Sequence, residues 1–373
     1  MGLRFIDGNE AVVLGALYAG CRFFAGYPIT PASSILEGMV EALPPLGGIA
    51  VQGEDEIASI GYCLGASMAG MKAMTATSGP GISLYSENIS FAIGSEIPIV
   101  IVNVMRQGPS TGSATRAADG DIQFMRWGQS GGLPVIVLAP ADAHDCFTLT
   151  VHAFNLAERF RCPVFLASNK EIGLTRETVQ MERLERPEVL NRTRHTSGDF
   201  VPFAVHSGRD VPDFLPIGGA VPVRQTSSTH GKDGYITVDP EEIQASMERL
   251  KKKVESQVDA FTFFDLEQRE RSKTLVITYG ATSRAVRAAC RRLDDRGIPV
   301  SLLVLKTLWP VPERLIARVA KENEGRILVV EMNLGQYVSE IQRIVCDRKV
   351  DFLGRMCGRL ISPDEIMWEL LDE

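Results

Sequence analysis

The sequence predicts an α/β protein: a mostly parallel sheet with helices on both faces, followed by a second, smaller α/β unit. Two observations carry that prediction. Ile97 to Met105 is a continuous apolar run, as expected of a parallel strand buried on both faces. Around it, short strand-like runs ending in Gly, Ser or Pro alternate with helix-length segments, first up to about residue 170 and again from Ser272.

The elements follow in order. Asn9 to Tyr18 reads as a helix with Asn9 as its cap, and Met1–Phe5 runs straight into that helical pattern. Arg22 to Ala25 is a short strand closed by Gly26, and Ser34 to Leu43 is a helix. Gly48 to Gln52 is a strand that leads into an acidic turn at Gly53–Glu56. Ile57 to Ala69 is a small-residue helix, and Ala73 to Thr77 is a strand ending in Ser78-Gly79-Pro80-Gly81. A polar loop from Arg106 to Asp121 precedes the strand Pro134–Leu138, the helix Ala141–Arg159 and the strand Cys162–Ala167. Arg176 to Gln257 is rich in Pro and Gly and shows no regular period until a charged helix at Glu241–Ser256. The second unit is expected to hold strands at Thr274–Tyr279, Pro299–Leu305 and Arg326–Val330, with helices at Thr282–Leu293 and Gln336–Cys346. This organisation divides the chain into 1–190, an irregular connector at 191–260, and 261–373.

Composition narrows the function classes. The 373 residues carry a net charge of −7 with no long run of one sign, a poor match to nucleic acid or an anionic membrane. No apolar run reaches the ~20 residues a bilayer span needs, and no leader precedes the first element, so a cytoplasmic protein is expected. The seven cysteines are scattered without a C-x-x-C pair, and the histidines lack metal-ligand spacing. Neither a disulfide, a metal nor an iron–sulfur cluster is expected on this chain.

In such a sheet, function gathers in loops after the strand carboxyl ends. Tyr27-Pro28-Ile29-Thr30-Pro31 is one such turn. Its two prolines fix the backbone, and its hydroxyls and amides suit an anion, although a plain strand-to-helix turn explains it as well. Glu54, Asp55 and Glu56 stand where a helix dipole favours negative charge, which alone accounts for them. The two glycines of Thr77–Gly81 allow close backbone approach to a ligand, but the loop is neither a Walker loop nor a dinucleotide fingerprint. Arg106 ends the most apolar strand and could grip a carboxylate with two parallel hydrogen bonds. An ion pair with the acidic turn would explain it equally well.

Taken together, these motifs resemble the alpha subunits of 2-oxoacid:ferredoxin oxidoreductases over nearly the whole chain. Tyr27–Pro31 is the most specific piece, followed in the family's order by the acidic turn, Thr77–Gly81 and Arg106–Gly112. Thr278–Ser283 and Val329–Gln336 look like the transketolase C-terminal domain these subunits carry. The resemblance implies a pyrimidine-type thiamine-diphosphate-binding domain in the first unit. It also implies that Thr30 and Arg106, with Tyr27 and Pro28, bind the 2-oxoacid. Glu56 would then be catalytic, activating thiamine diphosphate, and Ser78, Gly79 and Pro80 would line the cofactor. Nine residues separate Glu56 from Gly65, a spacing that matches the thiamine family and favours Glu56 over Glu54.

The implied reaction is oxidative decarboxylation of a 2-oxoacid to acyl-CoA and carbon dioxide, with electrons passing to ferredoxin. The diphosphate, its Mg2+ and the iron–sulfur clusters would belong to a beta subunit, with separate gamma and delta subunits expected. Length and connector look closest to the 2-oxoglutarate branch. After Gly112, however, the sequence reads Ser113-Ala114-Thr115-Arg116 where many 2-oxoglutarate-type relatives have Leu-Pro-Thr. Pyruvate, branched-chain and aryl 2-oxoacids therefore remain alternatives, as does a non-catalytic scaffold subunit or a CoA-binding protein.

Overall fold

The computed structural model describes residues 2–372. Its strands are β1 (Leu3–Ile6), β2 (Phe23–Gly26), β3 (Ile49–Gln52), β4 (Ala73–Thr77), β5 (Ile99–Met105), β6 (Ile136–Leu138) and β7 (Pro163–Asn169). They continue as β8 (Glu177–Gln180), β9 (Phe264–Glu267), β10 (Thr274–Tyr279), β11 (Ser301–Leu305), β12 (Thr307–Trp309), β13 (Arg326–Glu331) and β14 (Val350–Gly354). The large sheet has the order β12-β6-β7-β5-β4-β2-β3, with β2 to β7 parallel. The smaller sheet has the order β14-β13-β10-β11-β9 and is parallel apart from β9.

The apolar run of β5 has a simple cause. Successive side chains point to opposite faces of a strand. Val100, Val102 and Val104 enter the core beneath the helices Gly8–Tyr18 and Ala143–Phe160, while Ile99 and Ile101 enter the other core. That other core continues without a break into Ile277, Leu303 and Val329 of the second unit. On the first face the helices approach closely, because a methyl group on Gly15 would lie 2.6 Å from the Phe147 carbonyl oxygen.

Several sequence expectations need correction. Leu3–Ile6 is not helical but pairs antiparallel with β8. The first helix is capped by Asp7, whose carboxylate accepts from the Glu10 amide at 2.9 Å. Asn9 is buried inside the helix, and its amide nitrogen donates to the Pro31 carbonyl and to Ser34 Oγ, both at 2.8 Å. The small-residue helix begins at Glu56 rather than Ile57, with Asp55 as its cap. The second unit also lends a strand to the first sheet, since β12 pairs antiparallel with β6.

The segment between β8 and β9 has little regular structure outside the helix Pro240–Glu255, yet it is tied down by charge. It wraps the edge of the large sheet where the parallel strands begin. Fully buried Glu96 accepts two hydrogen bonds from Arg249 (2.7 and 3.0 Å) and one from Lys253 (2.8 Å). Burial alone would raise the Glu96 carboxyl, but these cations overcome it and hold it at about 2. Arg192 likewise binds Glu158 at 2.6 Å and donates to the carbonyls of Ser67 and Met71.

Candidate active site

The opposite edge, where β2, β4 and β5 end, collects the loops the sequence singled out. The three acidic residues after β3 face three ways. Asp55 caps the helix, accepting from the Ala58 amide at 2.7 Å. Glu54 is exposed and accepts from the Tyr62 hydroxyl at 3.1 Å. Glu56, one residue into the helix, is turned inward and 7% exposed. Among the described residues, none hydrogen-bonds or pairs with the Glu56 carboxylate. It lies beside Thr77 and Gly81: a methyl group on Gly81 would overlap Thr77 Oγ1 and sit 3.0 Å from Glu56 Oε1.

Arg106, 5% exposed, reaches back under the Tyr27–Pro31 turn. Its Nη1 donates to the Thr30 carbonyl at 2.5 Å and its Nη2 to the Thr111 carbonyl at 3.0 Å, while Nε has no partner. Gly79 makes room for it. At φ +54° this residue adopts a backbone that side chains disfavour, and a methyl group there would lie 2.7 Å from Arg106 Nε. Among the described residues the guanidinium forms no ion pair, so the alternative of a salt bridge to the acidic turn is not realised. Burial lowers its pKa, opposed by the charges of Asp121 and Glu56, but an arginine so placed stays cationic. The structure thus brings Thr30, Glu56, Gly79 and Arg106 together. Tyr27 and Pro28 lie exposed on the same turn, and among the described residues neither hydrogen-bonds to Arg106 or Glu56.

Buried polar atoms without a partner accumulate here: Thr77 Oγ1, Ser78 Oγ, Asn103 Oδ1, Arg106 Nε and Gln107 Oε1. An unmet buried hydrogen-bonding group costs on the order of 1–3 kcal/mol, so such a set marks a place built for a ligand. Two side chains outside the sequence reading belong to it. Asn103 donates to Asp121 at 3.0 Å. Burial raises the Asp121 carboxyl, with Asn103 and the charge of Arg106 pulling the other way. Asn103 left a signal in the sequence, as the one polar residue within the apolar β5. Asp121 left none, being one polar residue among many in its loop. What the arrangement offers is a cation with an unpartnered N–H and an unengaged carboxylate, each packed against a glycine of the Thr77–Gly81 loop.

Comparison with known proteins follows the same lines. Residues 14–249 match the family model described as pyruvate flavodoxin/ferredoxin oxidoreductase, thiamine diP-bdg, and residues 272–366 match pyruvate:ferredoxin oxidoreductase core domain II. The chain is 40% identical to the 2-oxoglutarate synthase subunit KorA of Methanothermobacter thermautotrophicus, over 97% of this chain and 96% of that one. It is 33% identical to the ketoisovalerate oxidoreductase subunit VorB of the same organism, over 98% and 97%. Among solved structures, 2-oxoglutarate:ferredoxin oxidoreductase from Magnetococcus marinus, with 2-oxoglutarate, coenzyme A and succinyl-CoA bound, superimposes with a TM-score of 0.94 at 32% identity. That match covers 99% of this chain and 65% of the longer one.

Proposed function

The chain belongs to the pyruvate flavodoxin/ferredoxin oxidoreductase family, and on that premise we propose that it is the alpha-type subunit of a 2-oxoglutarate:ferredoxin oxidoreductase, active only with a beta subunit. The observation that carries the reading is the gathering, at one sheet edge, of a buried Arg106 whose Nε has no partner and a buried Glu56 whose carboxylate is unengaged among the described residues, packed against Gly79 and Gly81.

The residues present fit the pyrimidine end of thiamine diphosphate. Glu56 would offer its carboxylate to the ring, and Thr77, Ser78 and Gly79 would line it, the two hydroxyls being without partners among the described residues. When bound, thiamine diphosphate supplies the carbon nucleophile and the electron sink for decarboxylation. This chain's part is to position. Glu56 would hold the proton on the pyrimidine ring. Arg106, already anchored to two carbonyls, would direct its free Nε–H at the substrate carboxylate, with Thr30 beside it. Because those anchors are made before substrate arrives, little ordering remains to be done at the moment of binding.

We assign the diphosphate, its Mg2+ and the iron–sulfur clusters to the beta subunit, and CoA and ferredoxin to the assembled complex with gamma and delta subunits. The helix Glu56–Met68 supports docking of the beta subunit next to Glu56, because Ile57, Tyr62 and Gly65 leave an exposed, mostly apolar face there, flanked by Ile49 of β3. No helix of the described residues is long and apolar enough to cross a membrane, which fits a complex working in the cytoplasm. The Ser113–Arg116 departure weakens the choice of 2-oxoacid, and the ketoisovalerate relative supports a branched-chain 2-oxoacid as the second reading.

The test is to purify the tagged chain from its host and assay viologen reduction with a panel of 2-oxoacids plus CoA. Co-purification of an iron–sulfur subunit with CoA-dependent activity on 2-oxoglutarate is expected. Strict preference for 2-oxoisovalerate would move the substrate, and a lone, inactive chain would overturn the assignment.

A further inference from the structure

The sequence motif Glu331-Met332-Asn333-Leu334-Gly335-Gln336 has no part in the chemistry above, yet it is among the most densely hydrogen-bonded stretches of the second unit. It follows β13 and turns sharply, with Gly335 at φ +94° and Asn333 Oδ1 accepting from the Gly335 and Gln336 amides at 2.8 and 2.9 Å. Glu331, 1% exposed, forms no ion pair among the described residues. Its carboxylate is held by neutral donors: the Tyr279 hydroxyl (2.7 Å), Asn333 Nδ2 (2.9 Å) and the amides of Tyr337 and Val338. An unpaired buried carboxylate surrounded so completely holds its neighbours in one arrangement, since each donor would be left unmet by any other.

What this rigid turn grips is the far end of the loop that begins at Arg106. The Asp119 amide donates to the Met332 carbonyl at 2.9 Å, and Asn333 Nδ2 donates to the Asp119 carbonyl at 3.0 Å. Gln336 Nε2 donates to the Gly120 carbonyl at 2.5 Å. Gln336 Oε1 accepts from the Gln123 amide at 3.0 Å, and the Gln336 carbonyl accepts from Gln123 Nε2 at 2.6 Å. Trp309 Nε1 adds a bond to the Ile122 carbonyl at 3.1 Å. The near end of the loop is closed on itself by the Gln107–Ser113 bridge and by the Gln107 amide donating to the Arg116 carbonyl at 2.8 Å. Inside the turn that Gln107 closes, the residues from Pro109 to Gly112 are exposed, and it is there that the Thr111 carbonyl meets Arg106, with Arg116 to Ala118 joining this turn to the residues gripped at the far end.

We propose that the Glu331–Gln336 motif is a clamp from the second unit that fixes the loop Arg106–Asp121 and so holds Arg106 in position for the substrate carboxylate. Asn333 and Gln336 are then positioning residues, acting through Thr111 on Arg106. The substrate part of this inference rests on the 2-oxoacid reading above. The mechanical part does not. A clamp of this kind explains why a unit remote from Glu56 is joined to the large sheet through β12 and a shared core: it must be rigid relative to β5 to hold the loop in register.

The test uses Gln336→Ala, at a partly buried position where truncation is tolerated, with Gln336→Glu as the conservative variant. The latter keeps the acceptor for the Gln123 amide and replaces the donor to Gly120 with a carboxylate oxygen. Amide hydrogen exchange on the full chain should accelerate at least about tenfold in peptides covering 107–118 in Gln336→Ala, ~1.4 kcal/mol of local opening, with β10 and β13 unchanged. In the complex with its partner subunit, KM for the 2-oxoacid should rise about tenfold while kcat stays within about twofold, and Gln336→Glu should recover part of the loss. Unchanged exchange in 107–118 would overturn the clamp, as would acceleration spread evenly over the whole chain. Faster exchange in the loop with unchanged KM would overturn the link to Arg106. Should the wild-type complex turn over no 2-oxoacid, the functional reading fails and with it the link to substrate, whereas the exchange result still decides the clamp.

Discussion

Where the parallel strands begin, Glu96 is fully buried and bonded to Arg249 and Lys253. Where they end, Thr77, Ser78, Asn103 and Arg106 each bury a polar atom with no partner at all. The first edge has the connector wrapped over it, with Glu96 paired to Arg249 and Lys253 and Glu158 paired to Arg192. The second is left open with its groups unmet. Burial is costly for polar groups at both edges. At the first the protein meets its buried carboxylates with its own cations, although Ser95 Oγ there has no partner, and at the second it leaves more of its buried polar atoms to a ligand. Stability should therefore be governed by the first edge and function by the second.

The sharpest way to break that division is at Glu96. Replacing it with Gln strands Arg249 and Lys253 in the interior and should destabilise the chain by about 3–5 kcal/mol, read from urea unfolding, while the site geometry persists in the protein that remains folded. A loss under about 1 kcal/mol would mean the cations find water and the edge is not sealed.

The two edges should also respond to pH with opposite signs. Glu96, held at about 2 against 4.5, contributes stability that is present above about pH 4.5 and fades as pH falls toward 2. Asp119, beside the site, is the reverse. Burial, with the nearby charges of Glu331 and Asp121, pushes its carboxyl up to about 7 from 3.8, against a hydrogen bond from Asn169. In that window the folded chain holds a proton the unfolded chain has released. Its contribution is complete below about pH 3.8 and lost as pH rises through 7, by at most about 4 kcal/mol. Asp119→Asn should flatten the pH dependence of unfolding between those limits, and an unchanged slope would assign it to another group.

Arg106→Lys separates charge from geometry at the open edge. Lysine keeps the cation, but its compact ammonium does not reproduce the planar fork that spans the Thr30 and Thr111 carbonyls, so KM for the 2-oxoacid should rise roughly 30-fold, ~2 kcal/mol. Smallest is Lys252→Ala on the exposed outer face of the connector helix. Its pairing with Asp210 at 3.1 Å is open to solvent and should be worth no more than ~0.5 kcal/mol, which marks the sealed edge by contrast.

Much of this was visible before any coordinates. β4 was read to the residue, because an apolar run closed by Ser78-Gly79 has one reasonable boundary. Arg106, Glu56 and Thr30 stand out in the sequence because each follows a strand. The failures share a cause, which is distance along the chain. Asn9 is as good a cap as Asp7 by local preference, and only its bonds to Pro31 and Ser34 explain why it is inside. β1 is four residues whose partner is some 170 positions away, and β12 is three residues belonging to another unit's sheet. The spacing to Gly65 favours Glu56 among the three carboxylates of the acidic turn, but it does not supply the physical reason that residue turns inward. That follows from Asp55 taking the cap, which sets the helix phase and puts Glu56 inside and Glu54 out. The clamp on Asp119 to Gln123 joins residues more than 200 apart and left no local trace.

The central claim is that Glu56, inward and unengaged, is the carboxylate that starts the reaction. Its most direct test is single-turnover release of carbon dioxide from carboxyl-labelled 2-oxoglutarate by the purified complex. Wild type and Glu54→Gln should release a burst close to one per site, and Glu56→Gln should release none on the same time scale although it folds and assembles normally. A burst that survives in Glu56→Gln and disappears in Glu54→Gln would contradict the account and move the chemistry to the outer face of the helix.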